Sequence, residues 1–269
     1  MHEILHGFGF LSGWRSHFSQ FLTPGSSSAE FLVPPPNLVQ SGSSVVMEKW
    51  ESLFVFDAFI IASDGSPTSK LADNIASYTE KGSISPFLTG FFKSPQYQSS
   101  KTMWNYATTD APSLLFQLSS STPAASSTPN NLVLSTVAKS FLPASSISHG
   151  SLASYTDSSE FLMRPVVESG TTLAKMIAMN GNGGGPLGKL TTNAMWKLGW
   201  DINPNYLPGG AQAVGTSSFA DSVGGGGKFL FTDLNIRKPG ESSSSGTPLD
   251  IPLMRIVLAV VVVLSFGYF

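Results

Sequence analysis

The chain opens MHEILHGFGF (residues 1–10), in which His2-Glu3-Ile4-Leu5-His6 fits the pattern H-E-x-x-H. Residues four apart share one face of an α-helix, so His2 and His6 can offer two imidazoles to one Zn²⁺, with Glu3 beside them as general base. The apolar residues around them predict a short helix ending near Gly7 or Gly9, where glycine lets the chain turn sharply. A helix with such a site normally follows a supporting sheet, yet only Met1 precedes His2. The expectation is that the native start lies upstream of Met1.

Catalytic zinc takes three protein ligands and leaves one position open. The chain has no cysteine, which excludes thiolate catalysis, cysteine-based zinc fingers and iron–sulfur clusters, and only four histidines: His2, His6, His17 and His149. In the compact pattern H-E-x-x-H-x-x-G-x-x-H, Gly9 falls correctly, but Ser12 stands where the third histidine belongs. His17 fits no common zinc spacing and reads as an ordinary surface or half-buried histidine. His149 remains, in SSISHG (145–150), fourteen residues before Met163 in EFLMRP (160–165). A methionine turn beneath the metal is the second mark of this zinc-site class. The competing reading takes Glu48 or Glu51, in MEKWESLF (47–54), as third ligand from a second helix; it accounts for neither SSISH nor FLMRP.

Taken in order, HEILHGFGF, SSISH, EFLMRP and NAMWKLGWDIN (193–203) resemble the leishmanolysin-type metzincins and their secreted fungal and bacterial relatives. In that family a large insertion displaces the third histidine, a Glu-Leu-Met-x-Pro-type turn follows it, and a late helix ends in an Asp-Leu-Gly-Tyr/Trp-like sequence. Two blocks depart from the pattern: Phe161 is an extra residue between Glu160 and Leu162, and Lys197 replaces the usual acidic residue before Leu198-Gly199-Trp200. The resemblance implies His2, His6 and His149 as zinc ligands, Glu3 as general base and Met163 as the apolar floor of the site. It assigns no oxyanion-stabilising residue; Tyr155 and Arg164 are candidates by sequence proximity alone. The fold implied is α+β, the loop-rich C-terminal part of a metzincin-like catalytic domain, with the active-site helix at the N-terminus and the upstream sheet subdomain missing. Without that sheet, Ile4, Leu5 and Phe8 are expected to be exposed and activity of the chain as written is doubtful.

Composition sets outer bounds. Charged residues are 12% and the formal net charge is −2, with no basic stripe, which argues against a nucleic-acid partner. Hydrophobic residues at 41%, with 26 Gly and 18 Pro, indicate an ordered, loop-rich chain. FLTPGSSSAEFLVPPPNLVQSGSS (21–44) reads as turn-rich surface chain, and WESLFVFDAFIIA (50–62) as a buried strand or the start of a helix. Lys70 to Tyr78 reads as helix, Ser119 to Asn131 as an exposed Ser/Thr/Pro loop open to O-glycosylation, and Leu190 to Leu198 as a final helix. The domain reading is 1–237 for the catalytic domain, 238–247 for a linker and 248–269 for an anchor signal or membrane tail.

The end of the chain supports that last segment. Small residues at Ser244, Ser245 and Gly246, a spacer from Thr247 to Arg255 and an apolar run from Ile256 to Phe269 follow the order of a glycosylphosphatidylinositol (GPI) attachment signal. Fourteen helical residues reach about 21 Å, short of the roughly 30 Å hydrocarbon core of a bilayer, which favours the lipid anchor over a spanning tail. The expectation is therefore a zinc endopeptidase acting on protein or peptide substrates, in the secretory pathway and held at the outer cell surface. A non-catalytic, GPI-anchored surface or cell-wall protein built on the same fold is the alternative.

Overall fold

The computed structural model describes residues 1–22, 30–118, 131–167, 169–180, 184–203, 205–206 and the backbone of 236–237. Two units divide the chain, Met1–Pro239 and Gly240–Phe269. The second lies outside the described residues, and with it Ser244, Ser245 and the apolar tail, as does the Ser/Thr/Pro loop at 119–130. No helix among the described residues is long and apolar enough to cross a membrane.

The described fold is α+β, built from short helices around small antiparallel sheets. Helix α1 (His2–Gly7) comes first and ends in a glycine-dependent turn. Gly9 has φ +99°, its N–H donates to His6 O (3.0 Å), and the Phe10 N–H donates to Leu5 O (3.0 Å). These two bonds make a Schellman motif, with Leu5 and Phe10 as its accompanying apolar pair, both buried. Leu5 is thus not exposed as expected, and Phe8 is half-buried against Trp200, with ring centroids 4.5 Å apart. The chain's own later segments cover much of this helix.

The segment read as turn-rich surface chain instead carries core and strand. Phe31, Leu32 and Val33 are fully buried, and Arg15 pairs with Val33 in an isolated antiparallel bridge. Strands β1 (Pro36–Ser41) and β2 (Ser44–Trp50) then form a hairpin whose two-residue turn places Gly42 at φ 60°. Pro34 and Pro35 precede β1 and Pro36 is its first residue, the position in a strand where proline is tolerated.

WESLFVFDAFIIA divides into a 3₁₀ turn at Val55–Phe59 and strand β3 (Ile60–Ala62). Helix α2 (Ser69–Ala76) follows, then β4 (Gly82–Ser83), which pairs with β2. Helix α3 (Ile84–Phe91) buries Ile84, Phe87, Leu88 and Phe91, the i, i+3, i+4, i+7 stripe of an amphipathic helix. Their rings join Phe18, Phe31, Trp50 and Tyr78 in an aromatic cluster, including Phe18–Phe87 at 5.7 Å and Trp50–Phe91 at 5.7 Å. Each such pair adds about 0.5–1.5 kcal/mol beyond area burial. Helix α4 (Tyr97–Ala107) is joined to α2 by Asn74 Nδ2 donating to Ser99 Oγ (2.7 Å).

Strands β5 (Leu114–Gln117) and β6 (Asn131–Val133) complete a sheet in the order β3-β5-β6. Its nearly unbroken apolar runs, Ile-Ile-Ala, Leu-Leu-Phe and Leu-Val, are buried, as strands covered on both faces must be. Helices α5 (Leu152–Tyr155), α6 (Leu173–Asn180) and α7 (Lys189–Lys197) follow. Strands β7 (Asp201–Ile202) and β8 (Ile236–Arg237) pair at the end of the described chain.

Candidate metal centre

Three ring nitrogens from distant parts of the chain meet at one point. His2 Nε2 lies 3.0 Å from His149 Nε2, and His6 Nε2 lies 3.2 Å from each of the other two. The helical i, i+4 spacing places His2 and His6 on one face of α1. His149 comes from a segment that extends the β3-β5-β6 sheet: Ser135 N–H donates to His149 O (2.7 Å), Ile147 N–H to Ser135 O (2.8 Å) and Ser151 N–H to Val133 O (2.9 Å). The long stretch between His6 and His149 thus builds the sheet that delivers the third imidazole.

Each ring is oriented through its other nitrogen. His2 Nδ1 donates to Leu162 O (2.6 Å), His6 Nδ1 to Phe10 O (2.7 Å) and His149 Nδ1 to Ser145 O (2.9 Å). A carbonyl oxygen only accepts, so all three Nδ1 atoms carry the proton, and in the neutral rings all three Nε2 atoms are bare lone pairs. Three acceptors at 3.0–3.2 Å with no donor among them repel one another. A cation at their centre removes that repulsion, and carbonyl bonds at the far nitrogen are the usual support of metal-ligating histidines. Burial holds His149 down to about 4 and pushes His6 below the ordinary imidazole range, partly opposed by the Ser145 and Phe10 carbonyls. Burial therefore favours the unprotonated ring at His6 and His149 at neutral pH. His2, His6 and His149 could together hold a metal ion.

Met163 ends a 3₁₀ turn, Phe161–Met163, and is fully buried. The turn reaches the site through its backbone: Leu162 O orients His2, and Met163 O accepts the Gly150 N–H (2.7 Å), next to His149. Glu160, just before it, ties the turn to α7. Its Oε1 accepts from Leu190 N (2.7 Å), and its Oε2 from Thr191 N (2.8 Å) and Thr191 Oγ1 (2.7 Å), so it caps the free N–H groups of α7. Burial raises its carboxyl, against the lowering effect of those bonds. At the other end of α7, Trp200 Nε1 donates to Phe8 O (2.8 Å), tying that region to α1.

Ser12 has a different task from the ligand that the compact pattern would place there. Its N–H donates to Ser148 Oγ (3.1 Å), and its Oγ donates to Asp57 Oδ1 (2.6 Å). Asp57 Oδ2 accepts from Gly13 N (2.8 Å) and Phe54 N (3.1 Å). Burial pushes the Asp57 carboxyl up to about 6, opposed by these bonds and by the charge of Arg15.

Glu3 is exposed on α1, and its charge is felt at His6. Tyr155 and Arg164 are engaged elsewhere. The Tyr155 hydroxyl accepts from Val133 N (2.8 Å), and burial raises it to about 12; Arg164 is 1% exposed and donates to Phe161 O (3.2 Å) and Thr156 O (3.3 Å). Glu48 and Glu51 lie exposed on and just after strand β2 rather than on a second helix, and Glu51 pairs with Lys49 (3.2 Å). His17 stands outside the histidine group, with its Nε2 buried and unpartnered.

An α+β scaffold that converges three imidazoles, each oriented by a backbone carbonyl, defines a candidate metalloprotein. A family model described as SPBPB7E8-like matches residues 1–212, and the chain belongs to that family. No curated protein and no solved structure matches it.

Proposed function

We propose that this protein is a zinc-dependent endopeptidase of the metzincin type. The observation that carries the reading is the meeting of three bare Nε2 lone pairs, two of them from H-E-x-x-H. Their separations approach the roughly 3.3 Å that tetrahedral nitrogens take around a zinc at about 2.0–2.1 Å. An all-imidazole donor set leaves a fourth position for substrate chemistry, whereas structural zinc sites are closed by four protein ligands.

When bound, zinc supplies Lewis acidity, polarising a peptide carbonyl and making water a stronger acid. The chain's residues do the rest. His2, His6 and His149 hold the ion in their neutral form, with tautomers fixed by Leu162, Phe10 and Ser145. Glu3, exposed beside His2, takes the proton from water attacking the scissile carbonyl and returns it to the amine as the C–N bond breaks. Met163 gives the site an apolar support that does not compete for the metal. The substrate class is protein or peptide. From the order of residues 244–269 we extend the proposal to a surface enzyme held by a GPI anchor; release from cells by phosphatidylinositol-specific phospholipase tests that part.

Glu3→Gln in the full-length protein tests the reaction. Casein hydrolysis should fall at least about 10²-fold while zinc remains bound, because Glu3 serves the water and the histidines serve the metal. A loss below tenfold would place the base elsewhere.

A further inference from the structure

We infer that Ser12, Asp57 and Ser148 form a positioning device that sets His149 against His6. The inference rests on the three-histidine metal reading above.

The two arms of the site reach Ser12 by separate routes. From His6, the Nδ1 bond to Phe10 O fixes the ring to a chain that arrives at Ser12 two residues later. From His149, the preceding residue, Ser148, accepts the Ser12 N–H through its Oγ (3.1 Å). A third route closes the frame. Ser12 Oγ and Gly13 N both donate to Asp57, whose 3₁₀ turn runs directly into β3, and the β3-β5-β6 sheet carries the His149 segment at its edge. Ser12, Asp57 and Ser148 are all buried, at 1%, 0% and 3% exposure, so water cannot substitute for these bonds. His2 and His6 are fixed relative to each other by one helix, whereas His149 has no such covalent register. A bond from the residue beside it to the chain leaving α1 supplies that register, at the position where a shorter site would carry the ligand itself. Metal binding needs nitrogens placed within a few tenths of an ångström, and supporting partners commonly govern about 10–100-fold in affinity.

Co²⁺ titration of the metal-free full chain, followed by its d–d absorption and by thermal unfolding, tests this. Ser148→Ala should stay folded but bind Co²⁺ about tenfold or more weakly, with an altered d–d band. Ser148→Thr restores a hydroxyl acceptor and should recover affinity to within about threefold of wild type. Should Ser148→Ala fail to fold, Ser148→Cys keeps the volume with a weaker acceptor and should show an intermediate loss. Wild-type affinity and an unchanged band in a folded Ser148→Ala or Ser148→Cys variant overturn the inference alone. A wild-type chain that binds no Co²⁺ overturns the metal reading, and this inference with it.

Discussion

His2 Nε2 and His149 Nε2 lie 3.0 Å apart although 147 residues separate them, and both are acceptors. Metal-free, that contact is repulsive; with a cation between the rings it is binding. Zinc should therefore stabilise the folded chain through mass action, by about 4 kcal/mol at a thousandfold excess over the dissociation constant. Thermal unfolding of wild type should shift upward with zinc and fall back with chelator, while His149→Ala should show little of either shift. An equal zinc shift in His149→Ala would place the metal elsewhere.

Gly9 should resist substitution for its backbone alone. Its φ is +99°, yet a Cβ there would meet nothing within 4 Å, so strain and not collision sets the cost. Gly9→Ala should lose about 1–2 kcal/mol in urea unfolding, and Gly9→Asn should lose less. Equal and negligible losses for both would mean that the turn relaxes without its Schellman bonds.

Gly188 and Glu160 should be coupled. A Cβ on Gly188 would overlap the Glu160 carboxylate that caps α7. Gly188→Ala should cost about 1–3 kcal/mol in the wild type, from the displaced cap, and much less in a Glu160→Ala background. Additive losses in the double-mutant cycle would show that the two sites act independently.

Asp57 should make stability depend on pH in an uncommon direction. Its folded carboxyl titrates at about 6 against an ordinary 3.8, so between those values the native state holds the proton and the unfolded chain does not. The contribution is complete below pH 3.8 and is lost as pH rises through about 6. Relative to Asp57→Asn, metal-free wild type should lose up to about 1.4 kcal/mol per pH unit across that window. Arg15, whose charge favours the carboxylate, is retained in both proteins. A stability difference that stays flat from pH 4 to 6 contradicts the assignment.

The site was more legible in the sequence than the fold around it. His2 and His6 announce themselves by spacing, and His149 by elimination among four histidines and by its place before Met163. The carbonyls of Phe10, Ser145 and Leu162 could not be read, because any residue supplies a carbonyl; only Gly9, just past the helix, hints at the turn that brings Phe10 back to His6. Asp57 gave a weak signal as the one acid inside the apolar run FVFDAFII (54–61), which marks a buried carboxylate needing donors. Residues 31–33 read as open surface from the prolines beside them, whereas Phe31 belongs to an aromatic core assembled from residues up to 97. Strands β5 and β6 are four and three residues long, too short for alternation to register, yet they carry the ladder that places His149.

The most direct test of the central claim is the zinc content of the purified, folded chain, measured by elemental analysis beside that of His149→Ala. The account predicts about one zinc per wild-type chain and a large loss in the variant. A folded wild-type protein that takes up no zinc, or a His149→Ala variant that holds as much as wild type, would contradict it.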